Sequence, residues 1–131
     1  MREERKRLLL YAPVSQGFGE QLQKMAEELV SKNNVELYRS IESLAHRLRQ
    51  SANDLSIAVL YAANREDLSD IVSLRGLLRD VRIILVLPDR DENTIAQGHT
   101  LRPRFLTYAD SDFADISAVL EKCFESYATK V

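Results

Sequence analysis

At 131 residues the chain is the size of one domain with a single core. Its 45% hydrophobic and 29% charged content excludes a disordered polymer, and a formal net charge of −2, from 18 basic and 20 acidic residues, excludes a global field that would draw it onto nucleic acid or anionic lipid. A single cysteine, Cys123, excludes an intramolecular disulfide and a Cys-rich metal site.

The opening MREERKRLLLYAPV is too acidic, and its apolar run too short, for an export signal. No later stretch is apolar for long enough to predict a membrane helix. The expectation is a cytoplasmic protein forming one domain over residues 1–131, with neither membrane nor nucleic acid as partner.

Residues 7–13 (RLLLYAP) form a short apolar run with a proline stop, the form of a strand covered on both faces. The period then changes. From Gly19 the apolar residues Leu22, Met25, Ala26, Leu29 and Val30 fall on one helical stripe, which Asn33 and Asn34, residues that tolerate a left-handed backbone, are expected to end. Residues 35–39 (VELYR) alternate like a strand near a sheet edge. Ser40 then caps a helix whose inner face is Ile41, Leu44, Ala45 and Leu48.

Residues 55–62 are the longest β-like run. Asn64 is placed to cap a helix with the stripe Leu68, Ile71, Leu74 and Leu78. Residues 81–87 (VRIILVL) are rich in β-branched side chains and stop at Pro88-Asp89, the form of a fourth strand. A short helix is expected over residues 92–97, ended by Gly98. Residues 104–108 (RFLTY) read as the last strand, and Asp112 as the cap of a final helix bearing Phe113, Ile116, Leu120, Cys123, Phe124 and Tyr127 inward. Five strands alternating with five helices predict a parallel α/β sheet with helices on both faces. This is a flavodoxin-like (βα)5 three-layer sandwich with strand order 2-1-3-4-5.

Ligands in such folds sit beyond the carboxyl ends of the strands. The loop after the first strand, APVSQGFGE, brings Ser15, Gly17 and Gly19 to a helix start, a candidate cradle for the phosphate of a small ligand. The plainer reading is a tight turn with Ser15 as cap. Neither a Gly-Lys-Ser/Thr loop nor a third glycine supports a nucleotide site.

Three segments carry a family resemblance. DLSIAVLYAAN, VRIILVLPDRDE and FLTYADSDFADISAVLEK, within residues 53–122, resemble the third strand, fourth strand, and last strand and helix of response-regulator receiver domains. That resemblance implies a paired-acid magnesium site after the first strand, an acceptor aspartate on the third, a hydroxyl ending the fourth and a lysine after the fifth. The corresponding positions hold Tyr11, Ala12 and Pro13; Val59 or Leu60; Leu87; and Tyr108. None can play its part. The chain resembles a pseudo-receiver without catalytic residues, metal or cofactor, and Asp54, Asp67 and Asp89 read as capping or solvated carboxylates.

His46 lacks a second ligand at helical spacing, His99 lacks a nucleophile beside it, and Cys123 falls on an apolar stripe. What remains is surface. Receivers make output and dimer contacts through the fourth helix, fifth strand and fifth helix, and the resemblance points to His99, Arg102, Arg104 and Tyr108 as an interaction face. Arginine and tyrosine suit that role. The expected function is signal transduction by contact with a protein partner or a second copy, the alternative being a sensor for a phosphorylated small molecule at Ser15, Gly17 and Gly19.

Overall fold

The computed structural model describes residues 7–13, 17–29, 32–50, 55–109 and 116–122. Five parallel strands form one sheet, β1 (Arg7–Tyr11), β2 (Val35–Tyr38), β3 (Leu55–Tyr61), β4 (Ile83–Leu87) and β5 (Phe105–Tyr108). Their order is β2-β1-β3-β4-β5, the flavodoxin-like α/β arrangement that the alternation of periods predicts. Four helices alternate with them, α1 (Phe18–Leu29), α2 (Ile41–Arg49), α3 (Arg65–Val72) and α4 (Glu92–His99). A fifth, α5, covers residues 116–122.

The unbroken apolar runs follow from this layering. Leu9, Tyr11 and Leu60 pack with Leu44, Leu48, Leu68 and Ile71 on one face of the sheet. Leu8, Leu10, Ile57 and Val59 pack with Leu22, Met25, Ile116 and Leu120 on the other. Successive strand residues point to opposite faces, so a strand covered twice must be apolar at every position. Each fully buried leucine or isoleucine of this core stabilises the fold by about 1.5–3 kcal/mol relative to its exposed state.

Helix starts are fixed by side-chain caps. The Ser40 hydroxyl accepts from the Ser43 amide at 3.1 Å, and the Asn64 side chain accepts from the Asp67 amide at 2.8 Å. The Asp67 carboxylate reaches back to accept from the Ala63 amide at 3.1 Å, so two donors at the start of α3 are satisfied by one reciprocal pair.

Several expected boundaries are corrected. The helix α1 starts at Phe18, one residue before Gly19, and Asn33 and Asn34 stand beyond it in a 3-10 turn, Lys32–Asn34, neither with positive φ. The stripe through Leu74 and Leu78 does not continue α3, which stops at Val72. Leu74, Leu77 and Leu78 instead donate to carbonyls three residues back, at 2.9, 2.8 and 3.1 Å. Apolar residues at 68, 71, 74 and 77 recur every third position, which suits such tighter turns as well as an α-helix.

The fourth strand begins at Ile83, two residues after Val81. Gly98 does not end α4; it lies inside the helix and is buried. A Cβ there would come within 3.1 Å of Leu85, 3.2 Å of Leu87 and 3.3 Å of Leu106, so glycine permits the helix to approach the sheet. Asp112, Phe113, Cys123, Phe124 and Tyr127 lie outside the described residues.

Candidate functional site

The carboxyl ends of β1, β3 and β4 form the crest where this fold places ligands. At the end of β1, Tyr11 and Ala12 are buried, and the Ala12 amide and carbonyl are engaged by the Tyr38 carbonyl and the Arg39 guanidinium. Beside them the end of β3 brings Tyr61 and buried Ala62, whose amide donates to the Val86 carbonyl. Phe18, from the start of α1, packs against Tyr61 with ring centroids 5.1 Å apart and planes tilted by 55°. This tilted pairing suits the quadrupoles of two aromatic rings.

Val59, Leu60 and Leu87, standing where a receiver would carry its acceptor and hydroxyl, are buried. Val59 packs on the α1 face of the sheet and Leu60 on the α2 face. The crest is thus an extension of the two cores. Among the described residues no group of three metal-ligating side chains assembles.

Carboxylates near the crest are engaged elsewhere. Asp67 caps α3, and Asp91 caps α4 by accepting from the Asn93 amide at 2.9 Å. Asp89 accepts from the Asp91 amide at 2.9 Å and pairs with Arg65 at 3.3 Å. The Asp91 hydrogen bond, ahead of Arg65, holds its carboxyl below the ordinary value. Asp54 lies outside the described residues. The field of these groups acts on the tyrosines: burial first, then Asp67, Asp70 and Glu42, pushes the Tyr11 hydroxyl up to about 12. Burial and Asp67 likewise raise Tyr61. Both phenols stay neutral at physiological pH.

Gly17 takes a left-handed conformation, φ 63°, immediately before α1, and is exposed with open space around it. Gly19 is buried in the first turn of the helix, so it shapes packing and does not line a loop. Ser15 lies outside the described residues.

The four residues of the expected interaction face are not brought together. His99, Arg102 and Arg104 are exposed and cluster where the chain passes from α4 to β5, at the amino end of the strand. Tyr108 lies at the other end, about 13 Å away along a strand rising 3.3 Å per residue. It carries the Arg90 guanidinium 4.1 Å above its ring. His46 is exposed on α2.

Two features escaped the reading by pattern. Arg47, on the buried side of α2, donates to Glu36 from Nε at 2.6 Å, while Arg7 and the Tyr38 hydroxyl donate to the same carboxylate at 3.0 and 2.9 Å. Arg47 continues the inward stripe of Leu44 and Leu48, which is the sequence signal for its burial. The second is Phe105, 36% exposed at the start of the edge strand β5, beside Arg104.

Comparison with known proteins shows the fold alone. No protein-family model matches the sequence, and no curated protein matches it in sequence. Among solved structures, the chain is similar in fold to a protein of Burkholderia pseudomallei K96243, provisionally described as pilus assembly-related. The TM-score is 0.66 at 13% identity, over 91% of this chain and 89% of that one.

Proposed function

We propose that this protein is a non-catalytic, receiver-like module that acts in signal transduction through protein–protein contacts. The observation that carries the proposal is the filled crest. Tyr11, Ala12, Leu60, Ala62 and Leu87 are at most 2% exposed where phosphoryl chemistry would need carboxylates, a metal and a hydroxyl open to solvent. A second support is the exposed group His99, Arg102, Arg104 and Phe105, whose arginine and aromatic content matches that of contact surfaces. The likeness in fold to a pilus assembly-related protein makes pilus assembly the first process in which to look for the partner.

The test is incubation with acetyl phosphate and magnesium, followed by intact-mass measurement. An unchanged mass is expected, with no stabilisation by the metal. A stoichiometric phosphoryl adduct would end the proposal.

A further inference from the structure

A cleft of about 430 Å³ opens at the amino end of the sheet, opposite the crest, between the α3–β4 and α4–β5 connections. Its wall carries Arg75 and Arg79 from the first connection and Arg102 from the second, with Val81 and Leu101 supplying apolar surface and Gly76 at the margin. All three arginines are exposed, and none pairs with a carboxylate among the described residues. No described residue lining the cleft is acidic. On a chain whose formal charge is −2, this is a local concentration of unneutralised cations.

The backbone gives an independent sign. Arg102 is the one described residue other than glycine with positive φ, at 53°. A side chain with a Cβ is disfavoured there, and glycine or asparagine would fill the turn more easily. The strained position carries a guanidinium into the cleft wall.

We infer that this cleft is the docking surface for an acidic peptide segment of a partner protein. The inference rests on the contact-module reading and names the chemistry of the partner. Guanidinium groups bind carboxylates through paired donors, and several held on two connections suit successive glutamates or aspartates. Val81 and Leu101 in the same wall offer apolar surface to the aliphatic stems of such a segment, which a free phosphate would leave unused. Charge of one sign along a concave wall also speeds encounter, so binding weakens as salt rises.

The test uses the full chain, nitrogen-labelled for NMR, and a fluorescein-labelled oligoglutamate peptide. The peptide is expected to shift the amides of Gly76, Val81, Thr100 and Leu101, and the charge reversal Arg79→Glu/Arg102→Glu to weaken binding about tenfold or more. Arg102→Gly serves as a second variant, because it removes the guanidinium while relieving the turn; it is expected to bind less tightly and to melt no lower.

Absence of binding, shifts confined to other surfaces, or affinity unchanged in both variants would overturn the inference. So would displacement of the peptide by pyrophosphate or oligouridylate at lower concentration than by unlabelled peptide, which would assign the cleft to a phosphate ligand or to RNA. Failure here with no phosphoryl adduct from acetyl phosphate removes the acidic partner alone. An adduct there removes the contact-module reading itself.

Discussion

Glu36 illustrates how one carboxylate can be held by its surroundings. Burial favours its neutral form, but hydrogen bonds from Arg47, Tyr38 and Arg7 outweigh that and hold its pKa below the ordinary 4.5. Replacing it with glutamine removes the carboxylate that Arg47, about 10% exposed at its side chain, holds at 2.6 Å. The expected cost is about 1–3 kcal/mol, between the values for exposed and fully buried pairs. A group with a lowered folded pKa adds stability above its unfolded value and loses it as pH falls through the folded one. Urea melts should therefore show Glu36→Gln less stable than the native chain above pH 4.5, with the gap closing on acidification below it. A gap constant with pH would mean that packing, not charge, is the link between β2 and α2.

In α4 the deciding feature is the contact it makes at Gly98. Alanine in a helix interior is favoured over glycine by about 1 kcal/mol. Here that gain is opposed, because the added methyl would meet Leu85, Leu87 and Leu106 at 3.1 to 3.3 Å, and Leu85 and Leu87 are fully buried. Tight cores yield little, so Gly98→Ala is expected to lower stability by about 1 kcal/mol and Gly98→Leu by more. Thermal or urea melts decide it, and a more stable alanine variant would show that the three leucines move aside. The same glycine marks how far pattern reading reaches. A helix stop and a close approach use one letter, and only the position of β4 and β5 beneath the helix distinguishes them. Strand runs such as residues 83–87 were legible because doubly covered strands are apolar throughout, and caps at Ser40 and Asn64 because they act over three residues. The filled crest was legible too, since aliphatic and alanine side chains cannot bind metal wherever they point. The cleft was not. Arg75 and Arg79 are some 25 residues from Arg102 in sequence, and nothing in either connection announces the other.

The order of strands sets an order of stability across the molecule. β1 and β3 each pair on two sides, and β4 lies between β3 and β5, so each of these three has alternate amides bonded to another central strand and not to an edge. Their side chains, among them Leu8, Leu10, Ile57, Leu60, Ile84 and Leu85, are buried on both faces of the sheet. The edge strand β5 pairs with β4 alone and spans four residues, of which Phe105 is exposed and Thr107 is buried. Edge β2 is half-buried along its length but is tied to α2 and β1 through Glu36, Arg47 and Arg7. Regions with few buried contacts open with a smaller free energy than the whole domain. Native-state hydrogen exchange should therefore find the amides of Leu9, Val59 and Ile84, which face other central strands, exchanging only with global unfolding, those of β2 earlier, and that of Leu106 earliest. Protection of Leu106 equal to that of Val59 would contradict the ranking. It would also weaken the case for β5 as a contact edge, because a strand that opens readily can adjust its exposed aromatic to a partner, whereas one locked at the global limit presents a fixed surface.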